Sequence, residues 1–328
     1  MNDSEAKELL RDQNFKIISR ARPDDKARLV TLLQSIGEVV AVTGDGTNDA
    51  PALNAAQVGL SMGDGTSVAK EASDITIMDN SFASITKAVM WGRSLYQNIQ
   101  RFVLFQLVVN VVACLIVVIG AFTGTQSPLT VTQMLWVNLI MDTFAALAFA
   151  SLPPSMEVMK NKPRRSSDFI LSKAMICRIL STGLLFMVIL FGLMQCFRNN
   201  DIESLTYLVK YPGIFFHSMF EFGGDGVFTP VELSMFFSFF VFFQIWNLFN
   251  AKAFQSGHTA FFNLKGSKVF FLVVLGIIIG QYVIVTIGGK MFSVTPLSWV
   301  NWGWIFASTS LIMIVPTIVK YIKSRRSK

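Results

Sequence analysis

Six apolar runs follow residue 100, near 100–122, 129–151, 174–197, 231–251, 269–288 and 299–320, and they constrain this chain more than any other feature. Crossing the hydrocarbon core of a bilayer takes about 20 apolar residues of helix, and each run reaches that length. The runs are rich in Val, Leu, Ile and Phe, while charges collect in the interruptions. Composition agrees: of 328 residues 52% are hydrophobic and 15% charged, with mean hydropathy +0.51, too apolar for an ordinary soluble domain. The net charge of +7 calls for no nucleic-acid partner, because membrane proteins gather Lys and Arg in cytoplasmic loops.

Orientation follows from those cations. With the amino-terminal region in the cytoplasm, Lys160, Lys162, Arg164, Arg165, Lys173, Arg178, Lys252, Lys265 and Lys268 share its side with the tail residues Lys320, Lys323, Arg325, Arg326 and Lys328. Arg198, Lys210 and Lys290 lie opposite, and fourteen against three satisfies the positive-inside rule. A multi-pass protein with both ends cytoplasmic is expected, and the basic tail "KYIKSRRSK" reads as an anchor to anionic lipid headgroups. The acidic start "MNDSEAKELLRDQ" has no apolar core and is not a signal peptide. Cys114, Cys177 and Cys196 have neither metal nor redox spacing and read as free packing thiols.

Before residue 100 the chain reads as soluble α/β. "AKELLRDQ" predicts a helix, "FKIISRA" a strand, and "PDDKARLVTLLQSIG" a helix started by Pro23 and stopped by Gly37. "EVVAVTG" predicts a buried strand, "NDAPALNAAQ" a short helix, and "VGLSMG" and "DITIMD" two more strands. Strands alternating with helices imply a parallel, doubly wound sheet, whose sites lie at the carboxyl ends of strands. From Ser84 to about Phe122 there is no Pro, and Gly92 is the only glycine before Gly120. That stretch predicts one helix, polar in its first part and apolar in its second, able to carry movement into the membrane. The expected organisation is a soluble region over 1–83, a stalk helix over 84–99, six spans over 100–323 and a basic tail over 324–328.

One loop carries chemistry. In "VVAVTGDGTNDAPAL" a strand stops at Asp45, Asn48 and Asp49, interleaved with glycines. Carboxylates beside a close-approaching backbone and an opening helix suit Mg²⁺ and phosphate. A glycine-rich turn with a helix cap is the plainer reading of a bare "GDG". In the spans, Asn138 and Asp142 stand four residues apart, which places them on one face of an α-helix, and Asp142 is the only acid of the second span. An ionisable group at that depth is a functional candidate by default. Asn110 of the first span could face the same point or hydrogen-bond a neighbouring helix. Carboxylate and amide oxygens together suit a hard cation such as Ca²⁺.

"TGDGTNDAPAL" resembles the hinge motif of the P-type ATPases, within the haloacid dehalogenase superfamily. Upstream "ARPDDK" is similar to that family's lysine segment, and "VGLSMGDGTSVAKEASDITIMDNSF" and "LWVNLIMDT" extend the match. The wording "VNLIMDT", with "FQLVVNVVA" before it, looks most like the plasma-membrane-type calcium pumps. The resemblance implies a partial Rossmann-like phosphorylation domain followed by an all-α bundle of six transmembrane helices. It implies that Asp45 binds Mg²⁺, that Asn48 and Asp49 support the loop and phosphate, and that Lys26 neutralises the transferred phosphoryl group of ATP. It also implies that Asn110, Asn138 and Asp142 hold the transported Ca²⁺. Where reticulum-type pumps carry glutamates this chain has Ala113 and Gln244, and Met141 replaces a threonine, which implies one Ca²⁺ per cycle. Gln244 then reads as packing or outer shell.

The chain lacks the family's "DKTGT" phosphorylation motif, its nucleotide-binding domain, its "TGE" loop and its first four spans. It is therefore expected to be the carboxyl-terminal part of a plasma-membrane pump whose partners are lipid, Ca²⁺ and the missing amino-terminal part. A pump for another cation and a non-catalytic membrane interaction protein derived from a pump are the alternatives. A transition-metal pump fits poorly, since His217 and His258 lie outside the predicted spans and Cys114 is isolated.

Overall fold

The computed structural model describes residues 1–328 except 13, 15–16, 126, 165–167, 223–226, 257–258, 260, 264 and 327–328. Arg165, His258 and Lys328, the "GGDG" run at 223–226 and the first two residues of the strand predicted at 15–21 therefore lie outside the described residues. The chain forms two compact units, one of residues 1–94 with 154–169 and one of residues 95–153 with 170–328.

The first unit is a small α/β layer. Helix α1 (Asp3–Arg11) opens on a capping box, in which the Asn2 side chain accepts from the Glu5 amide and the Glu5 side chain accepts from the Asn2 amide. After α2 (Pro23–Ser35) come β1 (Ala41–Gly44), a 3₁₀ turn (Thr47–Asp49), α3 (Ala50–Ala55), β2 (Val58–Met62), α4 (Ser67–Glu71) and β3 (Ile75–Ile77). The strands pair in parallel in the order β1-β2-β3, with Ala41 opposite Val58 and Leu60 opposite Ile75. Two expectations change here. Residues 17–21 of the strand predicted at 15–21 form no strand: Ile17 and Ile18 are exposed, without a neighbouring strand to pair with. The run at 38–44 narrows to β1, an edge strand with Ala41 and Thr43 exposed; the buried strand is the central β2.

Helix α5 is continuous over Phe82–Phe122, 41 residues, as the absence of breakers predicted. Its first part belongs to the first unit, where the Arg93 guanidinium donates to the carbonyl of Asn161 (2.9 Å) and the Ser94 hydroxyl accepts from the Ser155 amide (3.1 Å).

The second unit is helical. Beyond α5 it holds α6 (Val131–Leu135), a π-helical turn (Trp136–Met141), α7 (Asp142–Ala150), α8 (Lys173–Asn199), α9 (Thr206–Lys210), α10 (Pro212–Ser218), α11 (Pro230–Lys252), α12 (Lys268–Ile287), α13 (Gly289–Phe292) and α14 (Trp299–Arg326). Among the described residues six helical stretches are long and apolar enough to cross a membrane: Phe82–Phe122, Val131–Ala150, Lys173–Asn199, Pro230–Lys252, Lys268–Ile287 and Trp299–Ile318. These match the six runs of the sequence within a few residues, apart from the first, which α5 extends back to Phe82.

Helix α11 lies at the centre and is buried on every side; Phe236, Phe237 and Phe240 are fully enclosed. Helix α14 packs along it, with the Trp246 indole donating to the Thr309 hydroxyl at 2.9 Å. Helix α5 turns the stripe Phe105, Val108, Val109, Val112 and Ile116 inward, the three-and-four spacing of one helical face. Phe270 of α12 meets Phe149 of α7 and Phe249 of α11 at ring-centroid distances of 6.0 and 5.6 Å, so those helix ends lie level. The outward faces carry Leu180, Leu184, Leu272 and Ile279, as lipid-facing surfaces do. The three free thiols divide: Cys196 is buried, whereas Cys114 and Cys177 are exposed on outer faces and do not pack inside as expected.

Small residues set how closely these helices approach. A Cβ at Gly280 of α12 would sit 2.8 Å from the Trp136 ring, whereas one at Gly276, a turn earlier, meets nothing within 4 Å. Gly280→Val should therefore lower the thermal midpoint of the reconstituted chain by an overpacking cost of about 1–3 kcal/mol. Gly276→Val should leave the midpoint near wild type; equal effects at both positions in a melting series would contradict the packing described.

Candidate functional site

In the first unit the candidate residues gather at the carboxyl end of β1. The chain leaves the strand at Gly44, passes Asp45 and Gly46, and turns at once into Thr47–Asp49 and α3. Asp49 folds back over this bend: its carboxylate accepts the Gly46 amide at 3.3 Å and the Lys26 ammonium at 2.7 Å. Position 44 requires glycine for that reason, since a Cβ there would lie 2.4 Å from the Asp49 Cβ. Burial pushes the Asp49 carboxyl up, but the Lys26 hydrogen bond and charge and the Gly46 and Asp45 amides outweigh it and hold it below the usual carboxylate range. The Lys26 side chain is 41% exposed, so solvent screens the pair and its contribution to stability is at most about 1 kcal/mol.

Asp45 and Asn48 are exposed and take no part in that pair. The Asp45 carbonyl accepts the Thr66 amide at 2.8 Å, which ties the loop to the start of α4, where the Thr66 hydroxyl caps the Ala69 amide. Among the described residues the Asp45 carboxylate has no hydrogen-bond or ion-pair partner, so it is free to face solvent from a fixed backbone. Of the four residues, then, Lys26 and Asp49 are joined, and Asp45 stands beside them. A lone carboxylate with open water-facing positions fits a hard cation that keeps most of its waters.

In the second unit Asp142 is 5% exposed and both carboxylate oxygens lack a hydrogen-bond partner. The Gln106 side chain of α5 approaches it without closing a hydrogen bond of ordinary geometry. Asn110 is half-buried and Asn138 exposed, and no hydrogen bond among the described residues joins either to Asp142. The expectation that Asn138 and Asp142 lie on a regular α-helix is corrected. A π-helical turn over Trp136–Met141 lies in this stretch, with one extra residue per hydrogen-bonded loop, and here Asn138 is exposed whereas Asp142 is buried. Such turns occur frequently at functional sites.

Met141 and Ala113 are buried and apolar, at 0% and 2% exposure. Gln244 is completely buried in α11 with both amide atoms unpartnered. Gln281 of α12 shares that condition and is a residue that sequence reasoning passed over. Its signal is a single amide within the apolar run "VFFLVVLGIIIGQYVIVTI".

Comparison with known proteins agrees with this division. Residues 126–322 match the family model described as cation transporting ATPase, C-terminus, and residues 27–89 match that of haloacid dehalogenase-like hydrolases. Plasma membrane calcium-transporting ATPase 2 of Oreochromis mossambicus is 41% identical over 88% of this chain and 25% of its own length. Plasma membrane calcium-transporting ATPase 4 of Homo sapiens is 41% identical over 88% of this chain and 23% of its own. Calcium-transporting ATPase 4, plasma membrane-type, of Arabidopsis thaliana is 40% identical over 94% of this chain and 28% of its own. The chain thus spans about a quarter of the length of these relatives. With a membrane half matched to one family model and a sheet half matched to the other, the chain belongs to the cation-transporting ATPases of the P-type.

Proposed function

We propose that this chain forms the carboxyl-terminal part of an ATP-driven calcium pump of the plasma membrane, working through an aspartyl-phosphate formed on sequence outside it. The observation that carries the reading is Asp142: a carboxylate buried among apolar helices with both oxygens unanswered by protein. Such a group is costly unless an ion or proton occupies it. Oxygen ligands from Asp142, Asn110 and Asn138 suit Ca²⁺, and Gln244 faces the same core as a further amide. Asn138 is exposed in this chain, where ligands from another part of the pump would meet it. With Ala113 and Met141 apolar, one Ca²⁺ is bound per cycle. The amino-terminal region and the carboxyl terminus lie in the cytoplasm, as the distribution of Lys and Arg supports. Residues 1–83 serve phosphorylation, 84–99 act as the stalk, 100–323 form the spans and 324–328 the basic tail.

At the loop, Asp45 offers an unpaired carboxylate to Mg²⁺, which when bound neutralises charge on a phosphoryl group. Asp49 holds Lys26 in place, and the Lys26 ammonium presents positive charge to the same region, the largest part of what a protein supplies in phosphoryl transfer. Asn48 stands exposed on the turn within reach of an incoming phosphate.

In a complete pump, Asp45→Asn should reduce phosphorylation from ATP by about 100-fold or more while leaving the fold intact. Acid-stable ³²P labelling measures this, and near-normal turnover would sink the Mg²⁺ assignment. Asp142→Asn keeps the side-chain volume and should insert and fold. It should lose Ca²⁺-activated phosphorylation from ATP yet retain phosphorylation from inorganic phosphate without Ca²⁺, which uses the cytoplasmic site around Asp45 and Lys26 and not the membrane site. Loss of both reactions, or retention of both at wild-type Ca²⁺ dependence, would refute the transport-ligand role.

A further inference from the structure

Helix α12 buries one stripe, Phe270, Val274, Ile277, Gln281 and Val285, spaced by threes and fours. Gln281 is its only polar member; it is 0% exposed, and neither its amide oxygen nor its nitrogen has a partner. The stripe runs between α7 and α11, the two helices against which α12 packs. Phe270 fixes the register, because it touches Phe149 near the end of α7 and Phe249 near the end of α11. Counting back at about 1.5 Å per residue, Asp142 lies roughly 10 Å from that layer and Gln244 roughly 8 Å. Gln281 lies roughly 16 Å from it on the antiparallel α12, about one turn beyond Asp142 and about a turn and a half beyond Gln244. The Trp136 ring lies against Gly280, the residue before Gln281, and its indole nitrogen is also buried without a partner. Asp142 and Gln281 are thus buried polar side chains about one turn apart in height, and Gln244 and the Trp136 indole nitrogen are likewise buried without partners.

Buried polar groups in folded proteins are nearly always hydrogen-bonded, and where protein supplies no partner, ordered water does. We propose that the seam of α12 with α7 and α11 holds internal water, and that Gln281, through its amide, binds the waters that extend from Asp142 toward the Ile287 end of α12. The ligand is water, bridging the Gln281 and Gln244 amides and the Trp136 indole to the carboxylate. The seam is then the wet side of Asp142, over which a cation exchanges its hydration. The water pocket rests on burial and missing partners alone and stands whichever ion Asp142 holds.

Thiol modification tests it. The full chain, with Cys114, Cys177 and Cys196 replaced by Ala, is reconstituted in lipid nanodiscs bearing either Gln281→Cys or, in the same stripe, Ile277→Cys. Reaction with a small aqueous methanethiosulfonate needs a hydrated thiolate, so the cysteine at 281 should react at least about tenfold faster than that at 277. Equal, slow labelling of both would overturn the proposal. Should the cysteine variant not fold, the sign of one stability change decides. Gln281→Leu should lower the thermal midpoint, because Leu displaces waters that Asp142 and Gln244 use. If the seam were dry, the same change would remove an unsatisfied amide and raise the midpoint, contradicting the proposal.

Discussion

Hydrocarbon offers a polar group no partner, so every amide and charge inside the second unit must be answered by protein, water or ion. Towards the helix ends the protein supplies the answer. Gln97 donates to the Gln255 carbonyl, Asn98 to Leu152, Gln100 to Ile170 and Arg101 to Phe254. Near the opposite ends of the helices, Gln133 donates to Phe292 and Asn301 to Glu203. Between these two pinned layers the pattern reverses, and Asp142, Gln244 and Gln281 are buried with nothing to bond. Asp142, Gln244 and Gln281 differ from these end-layer amides in that none of their side-chain oxygens or nitrogens has a partner. On the proposed reading, water answers the neutral groups and a cation the carboxylate.

The first unit places its charges by a different rule, because water reaches it. Asp49 is consumed in holding the loop: it accepts from Lys26 and Gly46 and leaves no room for a side chain at Gly44. Asp45 is thereby kept in the open, its backbone tied to Thr66 and its carboxylate unpaired. Two acids four residues apart do separate work, one structural and one available to a ligand. Acidification below the usual carboxylate range would protonate Asp49 and release Lys26. Its stabilising contribution, present above that range, is then lost as pH falls through the depressed value.

Much of this was legible in the sequence. The six spans could be read because a bilayer demands length and apolarity together, and both are visible without a fold. The parallel strands at Val58–Met62 and Ile75–Ile77 followed from apolar runs bounded by turn residues. What failed to show was environment. Nothing in "FKIISRA" reveals that no partner strand stands beside Ile17 and Ile18, and nothing in "EVVAVTG" marks β1 as an edge. The π-helical turn was equally hidden, since Asn138 and Asp142 have the spacing of a regular helix and only the hydrogen bonding of Trp136–Met141 departs from it. Gln281 was visible as a lone amide but carried no motif, and its meaning appears only once its neighbours are known to leave it unanswered.

On the proposed reading, the unpartnered carboxylate of Asp142 binds the transported cation. Infrared difference spectroscopy of the complete pump, recorded on adding Ca²⁺, reads carboxylate coordination directly. A Ca²⁺-induced shift of carboxylate stretching bands that loses one component in Asp142→Asn is the predicted result. A difference spectrum unchanged by that substitution would contradict the account.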